Sequence, residues 1–456
     1  MLRVTLPTAL LLALAWLAPT RAAAAPPITL DEALAAAAKA NLDLRLAQTD
    51  REGADVDEYA SWAGVLPRLD LAAGFGNNYT AAGQQLTITP VSLNPLQYEQ
   101  IIVTTPTSDF ESYTLALQLT VPLFDGFKSW ANISRSKALA RAANKTVDES
   151  RLAVSFEVTR RFYDLVRAER SRKVLEESAA RSEELVRRTD ALYEAGRAPR
   201  ADTYAARVTL GNDRIAAEQQ RARVEDARVF LCVALGRDAD PGLEVAPPAA
   251  LDQVVLLQPP EQAELVELAR KSRPVLAARA EQVEASEQEV RSAASGYWPA
   301  ISAQATYGRQ SPWLAGTYGV YGDPSLQFGV QVGINVTWNL FEGRATSARV
   351  QQANVSEQRA RLKAEQALQQ VTGEIARSRA SYVTLSRSAV MAAENLRSAE
   401  ESLRLAATRF EAGAATQLEI RDAMLKLTQA QLALLQARID AIIARADLNR
   451  SVGGAL

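Results

Sequence analysis

Residues Phe328 to Trp338 read "FGVQVGINVTW". In an extended chain successive side chains leave opposite faces. Phe328, Val330, Val332, Ile334, Val336 and Trp338 therefore share one side, with Gly329, Gln331, Gly333, Asn335 and Thr337 on the other. Apolar against small or polar residues, over about ten positions, suits a soluble sheet with one buried face; it also suits a membrane strand with lipid outside and water inside. Three further stretches bear on the choice. Leu115, Leu117, Leu119, Val121 and Leu123 alternate with Thr114, Ala116, Gln118 and Thr120, and shorter runs hold Leu69, Leu71, Ala73 and Phe75, and Ile301, Ala303, Ala305 and Tyr307. The four make two hairpin candidates, around the polar segments Asn77 to Ser112 and Arg309 to Gln327, each expected to be a loop. Four strands in two matched pairs, in a chain that opens with an export signal, place lipid on the apolar face.

The repetition runs through the chain. "GVLPRLDLAAGFG" from Gly64 matches "GYWPAISAQATYG" from Gly296, "VPLFDGF" from Val121 matches "TWNLFEGR" from Thr337, and "YEAGRAPRAD" from Tyr193 matches "FEAGAATQLE" from Phe410. Self-similarity at a steady offset of roughly 217 to 232 residues marks a duplication. Residues 26–260 are expected to form the first structural repeat and 261–456 the second.

Each repeat begins with an Ala-rich, charged helix candidate, Asp31 to Gly64 or Gln262 to Gly296, stopped by Pro67 or Pro299. The hairpin follows. Next come segments without proline, Phe127 to Glu194 and Arg344 to Glu411, each long enough for a helix of roughly 100 Å. The first carries two apolar seams, Val147, Val154, Val158 and Leu165 against Leu152, Phe156 and Tyr163. Two seams mean neighbours on both sides, as in a wall of packed helices; helical periodicity alone also fits a coiled-coil rod. The repeated "EAG" then supplies a turn at the tip of a helical hairpin. Gly196 and Gly413 suit its left-handed position, Pro199 the first turn of the next helix, and Thr416 with Glu419 a capping box. Shorter helices follow, Pro199 to Leu235 and Thr416 to Asn449. Two short helices per repeat match one long helix in length and can stack end to end beside it.

Residues 1–25 read as a secretory signal peptide: Arg3, an apolar run, then small residues. Arg3 and Arg21 leave with it, so 51 basic side chains become 49 against 53 acidic ones. With no basic cluster, nucleic acid is not an expected partner. The chain has no histidine, which removes the usual general base and the commonest metal ligand. Its one cysteine, Cys232, sits in the apolar "VFLCVALG" and reads as a packing residue. Neither an enzyme nor a cofactor is expected. Trp62, Trp130, Trp298 and Trp338 cluster near the strand–helix junctions, where membrane-interface aromatics belong.

Four strands cannot close a barrel, and an open sheet in lipid leaves unpaired edges at several kcal/mol per group. Closed barrels start at about eight strands, so either two or three chains satisfy the geometry. The fold class expected is an α+β membrane protein: a long α-helical barrel of packed helical hairpins with a β-barrel formed jointly by several chains, four strands from each.

The residues that carry this grammar resemble the TolC-like outer membrane efflux proteins: "ITLDEALAAAAKANLDL" near the start, "LPRLDL" and "WPAISA" before the hairpins, "LFDGF" and "LFEGR" after them, and the two "EAG" turns. The resemblance covers essentially the whole mature chain. It implies a homotrimer with twelve strands in the outer membrane of a Gram-negative bacterium and a long periplasmic helical tunnel. It also implies a periplasmic adaptor (membrane fusion) protein and an inner membrane transporter as partners, in efflux or type I secretion. In the family the tunnel closes near the second-copy turn, which points to Phe410, Glu419 and Asp422 as aperture residues, with Asp202 at the first-copy turn. Phe410 and Ala415 stand where the family places a tyrosine and an arginine that bond aspartates, so closure here is expected to rest more on helix packing. Glu419 and Asp422 also suit the first turn of a helix on dipole grounds. A periplasmic coiled-coil adaptor with a small soluble β domain is the alternative; it requires a compact sheet of non-adjacent strands.

Overall fold

The computed structural model describes residues 27–93, 96–247 and 259–454; the expected signal peptide lies outside them. The helices are α1 (Leu30–Ala40), α2 (Leu42–Ser61), α3 (Lys128–Glu194), α4 (Arg200–Ala234), α5 (Gln262–Ser272), α6 (Pro274–Ala294), α7 (Ala345–Glu411) and α8 (Gln417–Ser451). The strands are β1 (Arg68–Thr80), β2 (Gly83–Leu93), β3 (Leu96–Thr105), β4 (Ser108–Phe124), β5 (Ala300–Ser311) and β6 (Phe328–Thr337). Both proline-free segments are unbroken helices of 67 residues. No described helix is apolar enough to cross a membrane.

Two expectations need correction. The segment Asn77 to Ser112 is not a loop: it holds the ends of β1 and β4 and the hairpin β2–β3, which forms its own two-stranded sheet. β-Branched residues such as Thr87, Ile88, Ile101, Ile102 and Val103 favour that conformation despite the polar composition. The first helix of each repeat is also broken, at Asn41 and at Arg273. Asn41 is buried because its Nδ2 donates to the Ala234 carbonyl at the end of α4 (2.9 Å), while its Oδ1 accepts from the Leu44 N–H (3.1 Å) and caps α2. Arg273, also buried, donates to the Arg450 carbonyl at the end of α8. Gly236, at φ +70°, closes α4 so near this break that a Cβ would lie 2.3 Å from the Ala40 carbonyl oxygen. The ends of α4 and α8 thus lie against the breaks at Asn41 and Arg273.

The main sheet has the order β1-β4-β5-β6, all antiparallel. Leu71, Leu117, Tyr307 and Val330 form one lateral row, and Leu69, Leu119, Ala305 and Val332 the next. The opposite face carries Asp70, Gln118, Thr306 and Gln331 in one row and Ala72, Ala116, Gly308 and Gly329 in another. Leu71 is 70% exposed and Val332 76%, so these rows of the apolar face are uncovered, while at the far end of β5 Arg309 and Ser311 are buried beneath the segment that follows. The hairpin registers coincide: Arg68 opposite Thr120 in β1–β4 becomes Ala300 opposite Thr337 in β5–β6, shifts of 232 and 217 residues, and the neighbouring pairs keep step.

By contacts the chain divides into two compact units that each draw on both repeats. One, Leu46–Glu149 with Pro274–Gln370, holds both sheets and the adjoining helix segments. Its helix packing uses small residues, Ala131, Ala138 and Ala142 of α3 and Ala278 and Ala285 of α6, all buried. Arg141 bridges Glu281 and Glu284 (both 2.8 Å) along the same pair of helices. The other unit comprises the described parts of Met1–Arg45, Ser150–Arg273 and Val371–Leu456. Its core is larger-grained, with Phe162 and Leu165 of α3, Leu231 of α4, Ile375 of α7 and Ile439 of α8 fully buried. Both seams of α3 find neighbours: Val154, Val158 and Leu165 are buried, Tyr163 is 6% exposed, and Phe156 lies beneath the Arg450 guanidinium at 5.2 Å.

Candidate aperture and membrane-edge residues

The two "EAG" turns belong to the same unit and share one geometry. Gly196 (φ +68°) and Gly413 (φ +69°) take the left-handed conformation that L side chains resist. At the first turn the Gly196 N–H bonds the Tyr193 carbonyl (2.9 Å) and the Arg197 N–H the Leu192 carbonyl (2.8 Å); Gly413 and Ala414 repeat this with Phe410 (3.0 Å) and Arg409 (2.8 Å). These paired bonds satisfy the last carbonyls of α3 and α7, as in a Schellman motif. The following helices start differently. Pro199 is the cap residue rather than part of the first turn and offers no side-chain bond, whereas Thr416 and Glu419 form the full capping box.

Between the turns lies a cavity of about 500 Å³, whose lining includes Arg188, Leu192, Asp202, Phe410, Glu411 and Gln417. Gln417 ties the turns together, its Nε2 donating to the Asp202 carbonyl (2.9 Å) and to Thr189 Oγ1 (3.4 Å). Arg188 reaches across to Glu411 at 3.0 Å. Asp202 and Phe410 therefore meet in one cavity. Glu419 and Asp422 are not among its lining residues. Each instead has a cation: Glu419 pairs with Arg409 at 3.3 Å and Asp422 with Lys426 at 2.6 Å. Arg409 also donates to the Ala414 carbonyl at 3.1 Å, which pins it beside the turn.

Arg188, Arg409, Gln417 and Lys426 were not singled out by sequence reasoning. Asp422 and Lys426, four apart on a helix, could have been read as a pair. The Arg409–Glu419 and Arg188–Glu411 contacts cross a turn or join separate helices, and no local spacing announces them. The Arg188 guanidinium is held further toward its charged form, first by the hydrogen bond to Glu411 and then by Glu184. Among the described residues Glu411, Glu419 and Asp422 at the tip thus each have a cation partner.

The four tryptophans lie in the other unit. Trp62 opens a short 3-10 turn, Trp62–Gly64, and meets Trp130, in the first turn of α3, edge to face at 6.2 Å with Lys137 Nζ 5.1 Å above its ring. Trp298 follows the matching turn Ser295–Tyr297, and Trp338, just past β6, donates through Nε1 to the Tyr297 carbonyl at 3.2 Å. Trp130, Trp298 and Trp338 are exposed and Trp62 is half-buried. A ring exposed at the end of an apolar strand suits the boundary between lipid and water.

No curated protein matches the sequence. Among solved structures, a membrane protein from Pseudomonas aeruginosa superposes with a TM-score of 0.79 at 22% identity, covering 93% of this chain and 92% of its own. The outer membrane protein VceC from Vibrio cholerae gives 0.75 at 19% identity over 93% and 96%. The CmeC outer membrane channel of Campylobacter jejuni gives 0.76 at 18% over 94% and 86%. At such identities the likeness shows the fold, a helical barrel joined to a β-barrel. A sequence profile described as "Outer membrane efflux protein" matches residues 33–237 and 265–454, most of the chain. The chain belongs to the outer membrane efflux protein family, the outer membrane channels that serve as exit ducts of tripartite efflux systems.

Proposed function

We propose that three copies of this chain close into one passive duct, engaged by a periplasmic adaptor protein and loaded by an inner membrane transporter that supplies the energy. The observation that carries this reading is the four-stranded sheet, with an uncovered apolar face, a polar and small-residue face, and unpaired edges at β1 and β6. Lipid tolerates no open edge; three copies in a ring leave none and give twelve strands, within the range of known barrels. Residues 26–260 and 261–456 are read as two copies of one unit, a reading supported by the coincident hairpin registers. Trp62, Trp130, Trp298 and Trp338 would anchor the barrel at the membrane boundary. The periplasmic aperture is assigned to the tip turns Gly196 and Gly413, with Asp202 and Phe410 in the tip cavity and Glu419 and Asp422 on the neighbouring turns of α8. Gln417 is the direct link between the two turns within a chain, and its loss should loosen the resting aperture.

Single-channel conductance and salt-gradient reversal potential of the purified protein in a planar bilayer test the reading. Stable, cation-selective openings that grow in Gln417→Ala support it. Absence of any conductance, from protein that stays soluble without detergent, would overturn it.

A further inference from the structure

The loop between β5 and β6 is built around a buried cation. Arg309, near the end of β5, lies opposite Leu115 and Phe328 and so belongs to the apolar face with Tyr307 and Val330. A bare charge on the lipid side of a barrel is destabilising. Arg309 is instead buried, its guanidinium donating to the carbonyls of Asp323 (2.7 Å), Gly319 (3.2 Å), Leu326 (3.2 Å) and Gly322 (3.3 Å). Ser311, on the same face and also buried, donates to the Tyr318 carbonyl (2.7 Å) and accepts from the Trp313 N–H (3.1 Å). Gln310, between them on the opposite face, is exposed. The loop therefore folds down over the apolar side of the sheet, leaving the polar side open.

Bonds within the loop make it a compact flap. The Val320 N–H reaches the Trp313 carbonyl (3.0 Å), the Tyr321 N–H that of Leu314 (3.1 Å) and the Asp323 N–H that of Thr317 (3.0 Å). Val320 is buried, whereas Trp313, Leu314, Tyr318 and Tyr321 are exposed. The first repeat differs: Asn77 and Tyr79, the counterparts of Arg309 and Ser311 at the offset between β1 and β5, both stand exposed.

The height of the flap matches a membrane boundary. From Thr337 to Phe328 β6 climbs about 30 Å along its axis and, at a tilt of about 40°, about 23 Å across the membrane, close to the full height of an outward apolar band. At that level the apolar face ends in rings, Phe75 against Tyr113 at 5.1 Å and Tyr307 against Phe328 at 6.0 Å. Beyond them the same face of β1 and β4 turns polar, with Asn77 opposite Glu111 and Tyr79 opposite Asp109. Trp and Tyr side chains, apolar in body and polar at the tip, settle where lipid meets water.

We propose that residues 312–327 form a lipid-contacting flap, held against the outward side of the barrel by Arg309, that lays Trp313, Leu314, Tyr318 and Tyr321 into the headgroup layer of the outer leaflet. The inference rests on the outward-facing apolar sheet of the duct proposed above and gives that duct a foothold outside its strands.

Nitroxide-labelled lipids test this, in a Cys232→Ala background that leaves no other thiol. Tyr318→Cys and Tyr321→Cys, each coupled to a small fluorophore, are reconstituted in phosphatidylethanolamine–phosphatidylglycerol vesicles carrying the nitroxide on the headgroup or in mid-chain. Val332→Cys, on the apolar face within β6, is the reference. Headgroup nitroxide should quench both flap labels more than mid-chain nitroxide does, and the Val332 position should show the reverse. Adding Arg309→Ala should abolish most of the quenching at the flap and leave the reference as it was. If that variant does not insert, Ser311→Ala replaces it, with a partial loss expected. Flap labels that escape both nitroxides and yield to aqueous iodide overturn the flap, and a quenched reference then leaves the duct standing. A reference label that escapes mid-chain quenching removes the outward apolar face and both readings with it. Flap quenching unchanged in the inserted variant overturns the hold assigned to Arg309.

Discussion

At the scale of single residues, two of the tip carboxylates selected from the sequence stand in ion pairs. Asp422 is screened by Lys426 and Glu419 by Arg409. Each pair is exposed, so its contribution to stability is small, but its effect on the field at a narrow opening is not. Lys426→Ala should therefore raise cation preference in reversal-potential measurements, and Glu419→Ala with Asp422→Ala should lower it. Equal reversal potentials for all three proteins would remove these residues from the aperture. Glu169, on α3, offers a test of a different kind. Burial pushes its carboxyl above the usual carboxylate range, against the pull of Arg228 and Arg172 and with a small push from Glu244. The unfolded chain then releases this proton first as pH rises, so the group's contribution to stability falls between the ordinary carboxylate pKa and the raised one. Glu169→Gln should melt at a temperature close to the parent at pH 4 and above it at pH 7 in detergent. A difference independent of pH would mean that this carboxyl is not strained by burial. Phe410 and Asp202 were legible from their places at the repeated turns, and the structure brings them into one cavity. Arg409 was not, because its partner lies across a turn.

At the scale of elements, length and proline placement carried most of the information. The two helices of 67 residues are where uninterrupted helix formers demanded them, and the shorter helices end within a few residues of expectation. The break at Asn41 escaped notice because a tertiary contact causes it, whereas the break at Arg273 has a local sign in Pro274, which forces the residue before it out of helical geometry and opens α6. A polar side chain in a good helical stretch gives no sign that it will bond a carbonyl 193 positions away. Asn41→Ala would strip both the cap of α2 and the bond to the Ala234 carbonyl. A loss of about 1–3 kcal/mol is expected, measurable by chemical denaturation of the helical signal, with Asn41→Asp retaining the cap alone and falling between. An unchanged midpoint in Asn41→Ala would make the break incidental. The hairpin β2–β3 was missed for another reason: its Gln and Thr residues read as loop, although alternate positions such as Leu86 and Ile88 suit a strand.

At the scale of the whole molecule, the sequence pattern already implied that the chain is a fraction of something, since four strands with lipid-like alternation have no closed form. How many copies complete the structure was not legible from the strands, and the three proposed above follow from the resemblance. The adaptor alternative finds no support: the family is one of outer membrane channels, and β6 is exposed along its whole length where a compact soluble domain would bury one face. The open sheet has a genetic consequence. If no copy can enter the membrane alone, every functional unit samples the cell's pool of chains, and a defective allele reaches beyond its own products. With wild-type and defective chains made in equal amounts, only about one ring of three in eight would be wholly wild type. A chain altered at the tip but sound at its strand edges should therefore be dominant, and one that cannot pair at β1 or β6 should be recessive.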